Sequence, residues 1–441
     1  MFLQDKLKAA VASRGPVRVC LIGAGKFGSM FLSQVPTTDG LDVARIADLS
    51  PDAARGACRR VGWPDALFEA TTFSDDAAAA IAADDVDVVV EATGDPHAGV
   101  AHARAAIAAG KHIVMVNVEA DVLAGAALAR EARAAGVVYS MAYGDQPALT
   151  AEIVDWARSC GFHVVCAGKG TKYRPHYHQS TPETVWENLG FDPAQAARDG
   201  MNPKMFNSFT DGTKSALEMA AIANACGLTP PADGLMFPPC GVDDLPHTLR
   251  PRSEGGLLDG SGMVEVVSSE ERDGRPVFRD LRWGVYAVLE APNDYAAGCF
   301  RQYGMNTDAS GRFSAMYKPF HLIGMELNIS ILSAALLGQA TGETRAFAGD
   351  VVATAKRDLK VGETLDGEGG YCVWGKLIPA ARSLGEGALP IGLAQDVAMT
   401  RAAPAGAVVT YADVALDDAD PVVAYRRALE RSERGAAVSG G

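Results

Sequence analysis

The sequence lacks several features that would mark particular classes of protein. It has no run of about 18 apolar residues, so no segment is predicted to span a bilayer. Its eight cysteines are scattered singly without a C-x-x-C pair, which argues against a disulfide framework and against a zinc ribbon. It has no Lys/Arg-rich block, and its net charge is −14, so nucleic acid is not an expected partner. The N-terminus, "MFLQDKLKAAVASRG", has no signal-peptide core. We therefore expect a cytoplasmic protein that binds neither nucleic acid nor membrane.

The chain is long enough for more than one hydrophobic core, since 441 residues exceed the usual size of a single domain. From Val17 to about Gly168, apolar runs alternate with alanine-rich helical sequence, a pattern typical of a parallel sheet covered on both faces. We predict an α/β fold with a doubly wound Rossmann sheet over 1–150 and an α+β substrate and dimerisation domain over 151–342. A small β-rich domain over 343–430 and a flexible tail over 431–441 are predicted to follow.

A glycine turn follows the first predicted strand. The run Gly23-Ala24-Gly25-Lys26-Phe27-Gly28 fits G-x-G-x-x-G, and Asp48 ends the next predicted strand at a spacing suited to a ribose contact. Glycines at these positions allow a tight turn, backbone approach to a pyrophosphate and close packing of the following helix. The sequence predicts a bound dinucleotide, NAD or NADP, with these contact residues: Gly23, Gly25, Lys26, Phe27, Gly28, Asp48, Ala92, Thr93, Gly94 and Asn117.

The choice between the two cofactors stays open at this point. A carboxylate at Asp48 favours the free 2′-hydroxyl of NAD and would repel the 2′-phosphate of NADP. Arg55, Arg59 and Arg60 lie just downstream and could receive that phosphate if Asp48 turned aside, or could form a solvated helix face.

Three later segments carry polar groups suited to an anionic substrate. "GKGTKYRPHYHQ" contains Lys169, Lys172, Arg174, His176 and His178; the two histidines would share one face of an extended segment but lack a metal-binding helix spacing. "TDGTKSALEMA" would place Asp211, Lys214 and Glu218 on one helix face. "MYKPFHLIGMELN" carries Glu326 on a strongly apolar helix, where a glutamate is costly to bury without a partner. We predict that the segments converge, with these catalytic candidates: Lys169, Lys172, His176, Asp211, Lys214, Lys318, His321 and Glu326. Each could instead be a solvated or structural side chain. No metal site is predicted, although a divalent cation could assist.

The chain resembles two known groups. "LIGAGKFG", "ADLSPDAA" and "VVVEATG" resemble the cofactor domain of homoserine dehydrogenase, which has a lysine after the Asn of its fifth strand where this chain has Val118 after Asn117. "AGKGTKYRPHYHQSTPETVW", "RDLRWGVYAVLEAPNDY" and "MYKPFHLIGMELNISILSAALLG" resemble the DXR-like group, the second type of 1-deoxy-D-xylulose 5-phosphate reductoisomerase. The C-terminal "AKRDLKVGETLDGEGGYCVWGKL" is similar to a SAF module, which that group also has.

The resemblance implies a cytoplasmic, dimeric, NADPH-dependent reductoisomerase of isoprenoid biosynthesis. Such an enzyme would rearrange a 2-ketose 5-phosphate by retro-aldol cleavage and recombination, then reduce the aldehyde. Two alternatives remain: an NAD-dependent dehydrogenase or oxidoisomerase of a sugar acid or hydroxy acid, and a dinucleotide-sensing binding protein. The small anionic substrate itself is not identified by the sequence.

Overall fold

One parallel sheet with its helices is built from the N-terminal part of the chain, through Glu152, together with a later segment, His321–Arg345. A second unit contains Ile153–Phe320 and the chain from Ala346 onward. The structure is a computed structural model and describes residues 2–198 and 200–439. Within those ranges, no helix has both the length and the apolar character that crossing a membrane requires.

The first unit contains six parallel strands in the order β3-β2-β1-β4-β5-β6, which is the order of a dinucleotide-binding Rossmann sheet. Their bounds are β1 Val17–Ile22, β2 Leu41–Ala47, β3 Thr72–Ser74, β4 Val88–Glu91, β5 His112–Met115 and β6 Tyr139–Met141. The central strands β1 and β4 are almost entirely buried on both faces, as in a parallel sheet that helices cover on both sides. The predicted fold class is confirmed.

Helices of this unit begin where capping residues predict. Ser50, Asp95 and Asn117 each accept a hydrogen bond from a backbone N–H of the following first turn, and proline follows the first two. The helices are α1 Leu3–Arg14, α2 Lys26–Leu32, α3 Pro51–Arg60, α4 Asp65–Ala70, α5 Ala77–Ala82, α6 Pro96–Ala108 and α7 Val118–Ala134. Helix α8, Gln146–Ser159, carries the chain onward to the second unit.

The second unit is centred on a mixed four-stranded sheet of order β10-β9-β7-β8, in which β7 and β8 are parallel. The strands are β7 His163–Thr171, β8 Met263–Ser268, β9 Val285–Glu290 and β10 Phe313–Lys318. The helices are α9 Val185–Leu189, α10 Pro193–Arg198, α11 Pro203–Thr210, α12 Thr213–Cys226, α13 Leu245–Thr248 and α14 Asp294–Gln302. Helix α12 packs against β7 and β8.

Two sequence expectations fail in this region. The run "FHVVCAG" was expected to continue the parallel sheet, but it forms β7 of the mixed sheet. The segment from Pro319 to Gly338 was expected to form one long apolar helix, but α15 covers only Asn328–Leu337. Gly324 has a φ of +76° and lies so close to Phe27 and Met30 that a Cβ would clash, which explains the turn before the helix. Leu327, Ile331 and Leu332 then join the apolar core of the Rossmann sheet.

The C-terminal part of the second unit is rich in short strands. Its elements are β11 Gly349–Ala355, β12 Thr364–Asp366, β13 Val373–Pro379, α16 Ala380–Glu386, β14 Gln395–Met399, β15 Val414–Ala415 and α17 Pro421–Ser439. Strands β11 and β13 form one antiparallel pair, and β12, β14 and β15 form a three-stranded sheet. Where a flexible tail was predicted over 431–441, helix α17 continues to Ser439.

Candidate functional site

The glycine turn joins β1 to α2 and has the geometry expected of a dinucleotide site. Gly23 has a φ of +90°, and a Cβ there would lie 2.8 Å from the carbonyl oxygen of Ala92. A Cβ on Gly28 would lie 2.4 Å from the carbonyl oxygen of Gly23. Gly25 differs, because a Cβ there would meet no atom within 4 Å. Packing within the protein therefore accounts for Gly23 and Gly28, while Gly25 leaves open space above the backbone that a pyrophosphate could approach.

Asp48 follows β2 directly and braces this turn. One carboxylate oxygen accepts a hydrogen bond from the N–H of Ala24 at 2.9 Å, and the other accepts one from the N–H of Ser50 at 2.9 Å. The side chain is thereby held beside the glycine turn. Of the downstream arginines, Arg55 lies with its guanidinium 4.1 Å from the ring centre of Phe73. The Arg59 guanidinium similarly covers the ring of Phe68.

The loop Ala92–Gly94 after β4 lies next to the glycine turn. The hydroxyl of Thr93 accepts a hydrogen bond from Asn117 Nδ2 at 3.3 Å. The same nitrogen donates to the carbonyl oxygen of Asp95 at 2.7 Å, while Asn117 Oδ1 caps α7. Asn117 therefore ties the loop to the next helix, and the residues of this edge fit a dinucleotide across the carboxyl ends of the strands. Lys26 is exposed, and Phe27 packs partly against the core.

Lys169 and Glu218 form a buried ion pair in the second unit. Lys169 lies on β7 and Glu218 on α12, and their side chains are only 5% and 3% exposed. The structure thus brings the first two predicted segments into contact. Removing both charges from water costs free energy that only a close, paired arrangement offsets.

The neighbouring cations of this segment are also paired. Lys172 donates to the carbonyl oxygen of Asn188 at 2.7 Å and lies 3.5 Å from a carboxylate oxygen of Glu270. Arg174 binds the other oxygen of Glu270 at 2.7 Å. The expected cluster of positive charge is therefore substantially neutralised by carboxylates that the sequence alone did not identify as partners.

The two histidines do not share an extended face, because Pro175–Gln179 forms a 3₁₀ turn. His176 is exposed, whereas His178 is largely enclosed. His178 Nδ1 lies 2.7 Å from the carbonyl oxygen of Asp211, Nε2 lies 3.0 Å from the Tyr173 hydroxyl, and the ring stacks on Trp374 at 3.9 Å. Because a carbonyl only accepts, Nδ1 carries the proton and Nε2 accepts from Tyr173.

Asp211, Lys214 and Glu218 do not share one helix face, since Asp211 lies at the end of α11 and α12 begins only at Thr213. The buried carboxylate of Asp211 pairs with Lys356 at 2.7 Å. Lys356 also donates to the carbonyl oxygens of Ser180 and Gly370. Lys214 remains on α12 one turn before Glu218.

The third predicted segment is split. Lys318 ends β10 in the second unit, whereas His321 and Glu326 belong to the first. Glu326 is half-buried in the turn before α15, where its carboxylate accepts a hydrogen bond from the N–H of Leu322 at 3.1 Å. It is therefore not enclosed within an apolar helix as expected.

Sequence reasoning missed Glu265, a fully buried carboxylate on β8. Its oxygens accept hydrogen bonds from the N–H groups of Met236, Phe237 and Val266, and burial raises the pKa of Glu265 to about 7. The available signal was a glutamate inside the apolar run "MVEVVS". Phe237, held in a positive-φ conformation, stacks on Tyr173, so Glu265 shapes the surroundings of His178.

His178 gives a pH prediction. Burial lowers the pKa of His178 to about 4, below its ordinary value of 6.5. Below pH 6.5 the unfolded chain takes up a proton that the folded chain refuses, so His178 lowers stability by about 3 kcal/mol as the pH falls to 4. Replacing His178 by Gln should destabilise the protein at pH 7.5, and the difference from wild type should shrink at pH 4.5. Urea unfolding of wild type and variant at both pH values measures the difference in their free energies of unfolding. Glu265 and the other carboxyls contribute equally to both proteins, so their contributions cancel in this difference. A difference that is the same at both pH values would contradict the prediction.

In the part of the chain that the structure describes, no three His, Cys, Asp or Glu side chains are grouped so as to hold a metal ion.

Comparison with known proteins gives two family matches. Residues 23–141 match the model described as "Homoserine dehydrogenase, NAD binding domain", and residues 144–327 match "Oxidoreductase DRL, catalytic domain". A search of curated proteins found no match.

Several solved structures match the chain at low identity and low TM-score. A probable dehydrogenase from Thermotoga maritima is 12% identical, with 74% of this chain and 90% of that chain covered and a TM-score of 0.39. GenD2 from gentamicin A biosynthesis, solved with NAD, is 14% identical over 74% of this chain and 88% of that chain, with a TM-score of 0.36. Biliverdin reductase from Synechocystis sp. PCC 6803, solved with biliverdin and NADP+, is 20% identical, with 36% of this chain and 49% of that chain covered and a TM-score of 0.26. These TM-scores lie below 0.5, so the assignment rests on the family matches.

The two matched regions follow each other along the sequence, and the first contains the glycine turn and the loop after β4. The chain is an NAD(P)-dependent oxidoreductase with a homoserine-dehydrogenase-like NAD-binding domain and an oxidoreductase catalytic domain.

Proposed function

We propose that this oxidoreductase acts on a small anionic sugar or polyol derivative, and most specifically that it is a reductoisomerase like the DXR-like group. The observation that carries the proposal is the buried Lys169–Glu218 pair, placed on the same face of the mixed sheet as Lys318.

Strand register puts the two lysines on that face. Lys169 on β7 pairs with Val285 on β9, and Val285 pairs with Lys318 on β10. Residues directly opposite each other in antiparallel strands point to the same side, so Lys169 and Lys318 lie on one face, two strands or about 10 Å apart. Glu218 meets Lys169 from α12, and Lys214 lies one helical turn earlier. Because Glu218 balances the charge of Lys169, Lys318 and Lys214 supply the positive charge here, which supports binding of a phosphate or carboxylate on a chain that is acidic overall.

The proposed chemistry assigns a role to each side chain. When bound, the dinucleotide supplies or accepts the hydride. Lys169 would hold a proton beside a hydroxyl or carbonyl oxygen of the substrate and stabilise an enolate oxygen during retro-aldol cleavage and recombination. Glu218 would hold the Lys169 ammonium in place, and Lys318 would bind the anionic group as a point charge. Lys172 and Asp211 are paired with other side chains, and His176 is exposed. Catalytic roles for these three residues, His321 and Glu326 remain predictions. The dimer, the divalent cation and the SAF-like character of the C-terminal strands also remain predictions.

A second candidate is an NAD-dependent dehydrogenase or oxidoisomerase of a sugar acid or hydroxy acid. The fixed position of Asp48 favours it, because two backbone N–H groups hold this carboxylate beside the glycine turn, where it would oppose a 2′-phosphate. The stacking of Arg55 and Arg59 on aromatic rings supports the same preference for NAD.

The test is turnover of NADH and NADPH with a panel of sugar phosphates and sugar acids, followed by Lys318→Met. We expect a rise of about tenfold in KM for the substrate, with kcat and melting temperature little changed, because the substitution removes charge and keeps the aliphatic stem. Lys172→Met is the matched control, since Glu270 and Asn188 already satisfy its ammonium, and its KM should stay near wild type.

The outcomes separate the candidates. Turnover of sugar acids with NAD alone would favour the second candidate. No turnover with either cofactor across the panel would contradict both candidate substrate classes. A larger KM effect from Lys172→Met than from Lys318→Met would contradict the assignment of Lys318.

A further inference from the structure

We infer that Glu91 and His102 set the relative affinity of the dinucleotide site for the oxidised and reduced forms of the cofactor. This inference rests on the dinucleotide site described above and adds two residues whose side chains have no part in the proposed contacts.

Glu91 lies at the edge of the sheet where the cofactor would bind. It is the last residue of β4 and pairs in register with Ile22, the residue that leads into the glycine turn. The carbonyl oxygen of Ala92 lies within 2.8 Å of the position of a Cβ on Gly23, so the loop that follows Glu91 abuts that turn. With Asp48 at the end of β2 suited to the adenosine ribose, a dinucleotide spanning the crevice extends its nicotinamide half towards β4 and β5.

One oxygen of the Glu91 carboxylate collects every contact that the structure shows for this side chain. Oε1 accepts hydrogen bonds from the hydroxyl of Thr93 and from its N–H at 3.3 Å, and it lies 3.2 Å from Nδ1 of His102 on α6. Among the described residues, Oε2 has no hydrogen-bond partner although it is buried. Glu91 is 0% exposed, whereas the His102 side chain is 19% exposed. The Glu91 carboxylate is therefore fully buried, and only one of its two oxygens, Oε1, accepts hydrogen bonds from described residues.

Other charged side chains near α6 have separate partners. Asp95 caps α6 through the N–H of Ala98, and Arg104 pairs with Glu131 on α7. Asp121 on α7 accepts hydrogen bonds from Tyr139 and Thr344. Asp95, Arg104 and Asp121 are therefore engaged with groups other than the Glu91 carboxylate.

The two forms of the cofactor differ by one charge on the nicotinamide ring, which is positive when oxidised and neutral when reduced. A buried carboxylate at the edge of the sheet where the nicotinamide half would lie would attract the oxidised form selectively, because burial weakens solvent screening. A cation at position 102 opposes that attraction. Glu91 and His102 are accordingly positioning and tuning residues, since neither needs to touch the reacting atoms.

The experiment measures dissociation constants of the oxidised and reduced forms of the dinucleotide, NAD or NADP, that wild type binds more tightly. Calorimetry and the fluorescence of the reduced form give these constants for wild type and three variants. Glu91→Gln removes the charge while keeping the shape, and we expect the preference for the oxidised over the reduced form to fall by about tenfold. His102→Arg places a permanent cation beside the intact carboxylate and should lower the preference similarly. His102→Gln is the matched control, because it retains the carboxylate without a cation, and it should keep a preference at least as high as that of wild type.

The comparison of His102→Arg with His102→Gln stands even if Glu91→Gln does not fold, as judged by its melting curve. A ratio of dissociation constants that is the same in His102→Arg and His102→Gln, with wild type binding both forms, would overturn this inference alone. Failure of wild type to bind any of NAD+, NADH, NADP+ and NADPH would overturn the dinucleotide site and this inference with it.

Discussion

Replacing Gly25 by Val should abolish cofactor binding, with at least a hundredfold rise in the dissociation constant, while the protein still folds. A Cβ at this position meets no protein atom within 4 Å and the backbone is extended, so a side chain has room to project from this position. It fills the space through which backbone N–H groups would approach the pyrophosphate. Fluorescence titration with NADH and a melting curve on the same preparation measure both quantities.

Gly28→Val is the control. Its Cβ would lie 2.4 Å from the carbonyl oxygen of Gly23, so this variant should lose stability as well as binding. If a folded Gly25→Val protein bound the cofactor as wild type does, the glycine turn would not be the pyrophosphate site.

Replacing Arg426 by Met should lower the free energy of unfolding by about 3–5 kcal/mol. Arg426 is fully buried on α17, where it binds Asp350 at 2.6 Å and Glu430 at 3.0 Å. Its loss would leave the carboxylate of Asp350 buried without a cation, although Ser383 would still donate a hydrogen bond. Urea unfolding followed by circular dichroism measures the change.

The double variant Arg426→Met, Asp350→Asn separates charge from packing. It removes the charges of Arg426 and Asp350 and should recover a substantial part of the lost stability. The remaining buried carboxylate, Glu430, keeps the Arg427 guanidinium at 3.5 Å and a hydrogen bond from the Tyr411 hydroxyl at 2.7 Å. Equal losses in the single and double variants would show that the packing of the guanidinium, which also lies over the ring of Phe347 at 4.8 Å, matters more than the ion pair.

The sequence predicted the Rossmann sheet well because its signals are local. Two of the alternating apolar runs, "VRVCLI" and "LDVARIA", form the parallel strands β1 and β2. The assignment of "FHVVCAG" to the parallel Rossmann sheet was wrong, because the sequence of an apolar strand does not by itself determine which sheet the strand joins. That information lies in strands more than 90 residues away, beginning at Met263.

The candidate site was predicted only in part for a similar reason. Residue types at Lys169 and Glu218 were identified, but their pairing depends on α12 packing over β7. The partners Glu270 and Lys356 lie far along the chain from Lys172 and Asp211, and no spacing rule connects them. Gly324 illustrates a different limit, because an apolar sequence favoured a helix where close packing against Phe27 and Met30 requires a turn.

The segment His321–Arg345 completes a unit that begins at the N-terminus, and this order has a consequence for biosynthesis. Val90, Val114 and Val116 of the Rossmann core share an apolar cluster with Ile331 and Leu332 of α15. Those two residues leave the ribosome roughly 180 residues after Glu152, which is about 10–40 s at ordinary rates of synthesis. During that interval the nascent sheet has an uncovered apolar surface. Chaperones that bind such surfaces should therefore associate with nascent chains that have passed Glu152, and release should follow emergence of α15.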